Sequence, residues 1–540
     1  MAESPLLFLG SAWERVFQYE SSSRHGMNPQ DQKLSDLVSA VECICPQLFD
    51  YWQATAIIES LGYTDRVIQH EFGFADALAL GQYVYEQHHL SHTAKSPFSR
   101  VSFYNKFKSE ILTFVKQFSH SFVYVIPLLT LLALEYVKLG IKTQLLSPEL
   151  ASLLSLATMG SLISSGGFVQ MISRRGYFYL GLGESNLSSR VCFSLLRLGM
   201  ATSIILSFIG LWFGFYQDLF TDNYLIVAAF YYLLISLLWM LLAILALRVY
   251  WSTPVILIGL SILFIGLRVW GVGTLEAQIL AMGVTLGAIA SLMSFSWFRG
   301  KKSKNQAYRE IKLPRLNALI YSLAPYFCYG TAYFSFIFAD RIAAGTAINP
   351  ALGLIFAINS QYQRRMDLAL LNFLLLVPLV EYLGYKLIQY WFQQAKKPTS
   401  ENTAAFSLNL RRRYWLINLV TVIVFEISVA LTFSMLKPVT WGTGETFQAL
   451  IGCVGYLFFV LGLLNAIVLF SLNRAVAVIK ALLPALAINF ALSYILAHLI
   501  DVSYAAIGLV IGAGMFMLLS ARKVLQAIKQ PDYAYYLGGY

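Results

Sequence analysis

The sequence predicts an all-α polytopic integral membrane protein, with about twelve transmembrane helices in two six-helix bundles and a small helical segment ahead of them. Three observations carry that prediction. The 540 residues are 58% hydrophobic and only 12% charged, with a mean hydropathy of +0.63. A soluble domain carries about 25% charged residues, and a globule of this size has too little interior to hide so much apolar surface. Charge is also divided along the chain. Residues 1–100 hold twelve acids against six bases, about −6, and the remaining sixteen acids and thirty-three bases leave about +17. Finally, apolar runs of spanning length recur from residue 119 onward, and a helix needs about 20 such residues to cross a bilayer.

Residues 1–98 read as a cytoplasmic helical extension. Leu34, Leu37, Val38, Val41 and Ile44 recur at helical spacing, as do Ile57, Ile58 and Leu61, and Gly62 and Gly73 punctuate the pattern. The N-terminus MAESPLLFLGSAWERVF has a short apolar run with no basic stretch before it, unlike a cleavable signal. Residues 99–118 form a basic amphipathic lead-in. The expected spans then fall at 119–138, 148–172, 191–215, 224–247, 254–271 and 275–298, making a first bundle over 119–298. A basic linker, 299–315, follows. The second bundle, 316–521, holds 316–340, 366–391, 415–436, 447–472, 475–499 and 503–521, and 522–540 is a cytoplasmic tail. The break at Val269–Gly273 between the fifth and sixth spans is brief.

Basic residues set the orientation, because loops on the cytoplasmic side carry the excess of Lys and Arg. With the N-terminus inside, the inner loops hold twenty basic residues and the outer ones seven. Both termini are therefore expected in the cytoplasm. The +11 net charge is that of loops facing an anionic leaflet and does not indicate nucleic acid.

Ionisable residues at membrane depth are costly and usually face a cavity or a partner. Glu381 stands mid-span in LLLVPLVEYLGYKLI, three residues after Pro378. It reads as a cation, proton or sugar-hydroxyl contact, or as a structural carboxylate bonded to a neighbouring helix. Asp340 and Arg341 end the predicted seventh span, where water at the interface would solvate them. The aromatic and glycine run before them includes Tyr329 and Tyr333, whose rings suit either stacking on sugars or interfacial packing. Glu426, Lys480 and Arg474 complete the candidates. A cation in a cavity suits an anionic head group, and Arg474 equally suits an anchor at the inner face. Arg197 lies in the third span, where its long side chain can reach the interface.

Cys43-x-Cys45 with His88, His89 and His92 has no zinc-site spacing, and solvated histidines with a buried thiol account for them. The five cysteines give no paired framework, so nothing indicates an oxidising compartment. No phosphate-binding GxxxxGK[ST] loop, HExxH or GxSxG occurs. Neither an enzyme nor a cofactor is expected.

Several stretches resemble PelG-type exopolysaccharide exporters. Met366-Asp367-Leu368-Ala369 through Pro378, Glu381 and Tyr385 to Tyr390 is similar to that family's aspartate-led helix with proline, glutamate and a tyrosine-rich end. Phe168–Arg175, Tyr329-Gly330 through Asp340-Arg341, and Leu472-Asn473-Arg474 through Asn489 to Asp532-Tyr533 look alike too. Residues 1–98 and the Ser-Arg-Arg-Gly-Tyr loop depart from the family pattern. Over about residues 105–535, the resemblance implies a flippase-superfamily exporter in the plasma (inner) membrane. It would move an exopolysaccharide or lipid-linked glycan and work beside a cytosolic glycosyltransferase and other membrane subunits. Two other readings stay open: a membrane scaffold recruiting cytosolic partners, and a small-molecule or ion antiporter on the same fold. Convergence of Glu381, Glu426 and Lys480 on one cavity would speak against the scaffold.

Overall fold

The computed structural model describes residues 29–44, 51–94, 112, 114, 146–218, 220–248, 252–302, 316–347, 356–395, 403–436 and 442–538. The predicted first span 119–138, nearly all of the lead-in 99–118 and residues 303–315 of the basic linker lie outside these, as do the side chains of Cys43, Cys45, His88, His89 and His92. The chain divides into two compact units: one takes in residues 3–113, the other 114–395 and 402–540.

Four helices make the described part of the N-terminal unit: α1 (Pro29–Ile44), α2 (Tyr51–Ser60), α3 (Asp65–Glu71) and α4 (Ala77–Ala94). The helical spacing read from the sequence places Leu37 and Val41 on one face of α1, and both are buried against Ala54, Ile58, Ile68, Leu80 and Val84. The Asp65 carboxylate accepts a hydrogen bond from the Ala77 N–H at 3.0 Å. That bond satisfies one of the orphan donors at the start of α4.

The second unit is a polytopic membrane protein built of helices. In order these are α5 (Pro148–Gly181), α6 (Ser185–Tyr216), α7 (Asp222–Arg248), α8 (Ser252–Val269), α9 (Thr274–Lys302), α10 (Leu316–Thr346), α11 (Ser360–Ala395), α12 (Thr403–Leu436), α13 (Thr443–Ser471), α14 (Ala475–Leu499), α15 (Ala505–Lys529) and the short α16 (Pro531–Leu537). Ten of the described helices are long and apolar enough to cross a membrane. Long α10 falls outside that set, because tyrosines, Gly330, Thr331, Ser335 and the Asp340–Arg341 pair interrupt its apolar run. The start of α5 shows how termini are fixed: Pro148 opens the helix and the Ser147 hydroxyl accepts from the Leu150 N–H at 3.3 Å. The brief break between α8 and α9 is a true turn. Gly271 sits at φ +83°, a left-handed conformation that costs glycine little.

Two cores form. Phe168, Ile172, Leu195, Met240 and Ile244 build one among α5–α7, and Leu319 and Leu323 from the start of α10 join it. Farther along, Tyr329, Phe336 and Ile337 of α10 belong to the second core, with Phe373, Trp391, Tyr414, Tyr456, Phe459 and Phe516. Thus α10 passes from the first half of the unit to the second. It crosses α5 where glycines leave room: a Cβ on Gly330 would lie 2.3 Å from the Gly166 carbonyl oxygen, and one on Gly166 would lie 2.4 Å from the Phe334 ring. Small residues at such crossings let helix backbones approach closely.

One boundary differs in a way that matters. The span expected to end at residue 340 continues to Thr346. Asp340 and Arg341 therefore lie within a helix and are 0% and 3% exposed, so interfacial water does not solvate them.

Candidate functional site

The aromatic residues of α10 recur every three or four positions, and Tyr329, Tyr333, Phe336 and Asp340 fall on one face. That face builds a column of rings. Phe470 meets Tyr329 edge-on at 4.7 Å between centroids, Tyr329 meets Tyr333 at 6.0 Å, and Tyr333 stacks on Phe459 at 5.5 Å. Phe459 in turn stacks on Phe336 at 4.6 Å with the planes only 3° apart, and Phe373 links it to Tyr456.

The column leads to a buried polar cluster. Tyr362 of α11 donates its hydroxyl proton to Asp340 Oδ2 at 2.8 Å. Arg341 Nη2 donates to Asp367 Oδ1 at 3.0 Å, and Gln363 donates to the same oxygen at 3.2 Å. Asp340, Asp367 and Tyr456 all lie within electrostatic reach of Arg341. One turn away, Arg365 pairs with Glu445 at 3.0 Å and also donates to Gln448, tying α11 to the start of α13. Arg341 Nε and Asp340 Oδ1 are buried without a hydrogen-bond partner among the described residues. Each such atom costs about 1–3 kcal/mol in a dry interior.

Glu381 is half-buried on α11, within electrostatic reach of Tyr329 and Tyr333. Tyr329 is 6% exposed and fully engaged in packing, while Tyr326 and Tyr333 keep part of their surface open. Arg174 of α5 lies over the Tyr326 ring at 5.2 Å, joining the two halves of the unit at that level.

The other candidates do not gather here. Glu426 and Lys480 are exposed on their helices, so Glu381, Glu426 and Lys480 do not converge on one cavity. The reason is rotational: Glu426 lies opposite the face of α12 that buries Tyr414, Thr421 and Phe425. Arg474 precedes α14 in a turn, where its N–H donates to the Leu469 carbonyl at 2.8 Å. Among the described residues no group of three or more His, Cys, Asp or Glu is placed to hold a metal ion.

Sequence reasoning overlooked Tyr362, Tyr456, Arg365 and Glu445, and met Asp367 only through a family likeness. A signal existed for some of them, since Arg364, Arg365 and Asp367 cluster just ahead of an apolar run. It overlooked the buried amides as well. Asn372 accepts from Ser428 at 2.8 Å and Thr432 at 2.9 Å, and Asn489 donates to the Phe336 carbonyl at 3.0 Å, joining α14 to the ring column.

The fold is similar to that of solved MATE transporters. An outward-facing multidrug resistance MATE family transporter of the MOP superfamily aligns with a TM-score of 0.52 and 16% identity, over 77% of this chain and 96% of that one. A MATE in complex with MaL6 aligns at 0.50 and 14%, over 77% and 97%. No protein-family model and no curated protein matches the chain.

Proposed function

We propose that this protein is a membrane exporter that moves an exopolysaccharide or a lipid-linked glycan across the plasma membrane, using a transporter fold of the MOP type. The observation that carries the reading is Glu381, half-buried on α11 and within electrostatic reach of Tyr329 and Tyr333 on the tyrosine-rich face of α10. Aromatic faces stack on the C–H surfaces of sugars, and a half-buried carboxylate accepts from their hydroxyls. The likeness of residues 366–390 and 329–341 to PelG-type exporters favours the same substrate class. Rearrangement of the Asp340–Arg341–Asp367–Tyr362 cluster would accompany alternating access, because it joins α10, which passes between the halves, to α11. On this reading both termini face the cytoplasm, and a cytosolic glycosyltransferase supplies the glycan.

The test is deletion of the gene in its host, with complementation, and measurement of secreted sugar after acid hydrolysis. Secretion should disappear and return with the wild-type gene. A second reading, a small-molecule or ion antiporter, is favoured by the likeness to a multidrug resistance transporter. Unchanged glycan secretion together with new sensitivity to cationic drugs would select it and reject export.

A further inference from the structure

Helices α6 and α12 are the least buried of the described spans. In each, only 17% of the most apolar window is buried, less than in any other described span. Helix α12 packs on α11, α13, α15 and α16. The face it turns away from them is an apolar row: Leu419, Ile423, Ile427 and Leu431 are 56%, 47%, 54% and 55% exposed. Glu426 is exposed on that side, next to Ile423 and Ile427. It lies about 20 Å along the helix from Arg413 at 1.5 Å per residue, well inside a hydrocarbon core about 30 Å thick.

A carboxylate facing hydrocarbon is costly. Among the described residues, the Arg341–Asp367 and Arg365–Glu445 ion pairs do not involve Glu426. Escape to the interface is also closed. Arg197, exposed on α6, lies about 10 Å along its helix from Arg190, and its long stem carries the charge toward water. Glutamate has two methylenes and cannot cover the distance from its position. Two copies of the chain meeting through this face would place two carboxylates at one depth, which repel when ionised. A cation on a neighbouring helix satisfies the group without that penalty, and it keeps the apolar row covered.

We propose that the outer face of α12 around Glu426 seats a transmembrane helix of another protein, and that this helix presents a lysine or arginine at the depth of Glu426. The inference stands apart from which solute is moved.

The experiment places a photo-crosslinking amino acid at position 423 or 427 of the full chain in host membranes, with position 205 on the outer face of α6 as control. Adducts are identified by mass spectrometry. The expected result is one membrane protein, captured at 423 and 427 but not at 205, whose crosslinked helix carries a basic residue. Capture should be lost in Glu426→Leu and in Glu426→Lys. It should return when Glu426→Lys is combined with Lys→Glu or Arg→Glu at that residue of the partner. Abundance and thermal midpoint of the purified Glu426→Leu protein should match wild type, since the group holds nothing among the described residues. Adducts to lipid alone, to a second copy, or to a helix without a basic residue would overturn the proposal. So would capture that persists in Glu426→Leu.

Discussion

Glu381 and Arg341 both lie in the second half of the unit, and the same kind of substitution should affect them differently. Glu381 is half-buried within electrostatic reach of Tyr329 and Tyr333, so Glu381→Gln keeps size and hydrogen bonding while removing charge. Near-normal abundance with impaired secretion is expected, measured together in the same cells. Normal secretion at normal abundance would remove the charge from the mechanism. Arg341 is different, because its side chain is 1% exposed and it faces Asp367 and Asp340. Arg341→Met leaves two carboxylates without their cation, and breaking a buried pair from one side costs about 3–5 kcal/mol. Its thermal midpoint in detergent should fall clearly, and adding Asp367→Asn should recover part of the loss. Full stability of Arg341→Met alone would show that the pair does not hold α10 to α11.

Among elements, α10 has the most demanding position, because it serves both cores and meets α5 at a glycine contact. Gly330→Ala puts a Cβ 2.3 Å from the Gly166 carbonyl oxygen, which is backbone and cannot rotate aside. The crossing must then open, and overpacking of this kind costs about 1–3 kcal/mol. Gly259→Ala on α8 is the matched control: its Cβ would meet nothing within 4 Å, and alanine in a helix gains about 0.5–1 kcal/mol over glycine. Thermal unfolding of the two variants should therefore move in opposite directions. Equal shifts would mean that the α5–α10 contact yields more easily than its geometry implies. If the protein works by the proposed alternating access, Gly330→Ala should also reduce transport, because α10 joins the two halves at this crossing.

At the scale of the whole molecule, the N-terminal unit has its own core, from Leu37 and Val41 to Leu80 and Val84. A chain starting near residue 98 should still insert and reach the membrane, scored by fractionation and protease protection. Failure to insert would make the first residues part of the membrane fold. Topology is testable in the same cells. A cysteine at position 305 should resist impermeant thiol reagents in intact cells, and its labelling would reverse the orientation.

Span positions were legible in the sequence because hydropathy depends only on local composition, and a bilayer demands about the same length of apolar chain wherever a helix crosses it. The separate helices 252–269 and 274–302, divided at Gly271, were legible for that reason, as was the heptad-like spacing that buries Leu37 and Val41. Composition also marked Glu381, Asp340, Arg341 and Glu426 as costly groups in apolar segments. It could not show which way they face. One residue along an α-helix turns a side chain by about 100°, and only the neighbours of α12 decide that Glu426 points outward while Phe425 points in. Asp340 needed tertiary structure twice over: to extend its helix past the expected end, and to bring Tyr362 across from α11. Pairings such as Arg341 with Asp367 join residues on different helices. Their energy exists only when packing removes water from both partners, so no local stretch of sequence contains it.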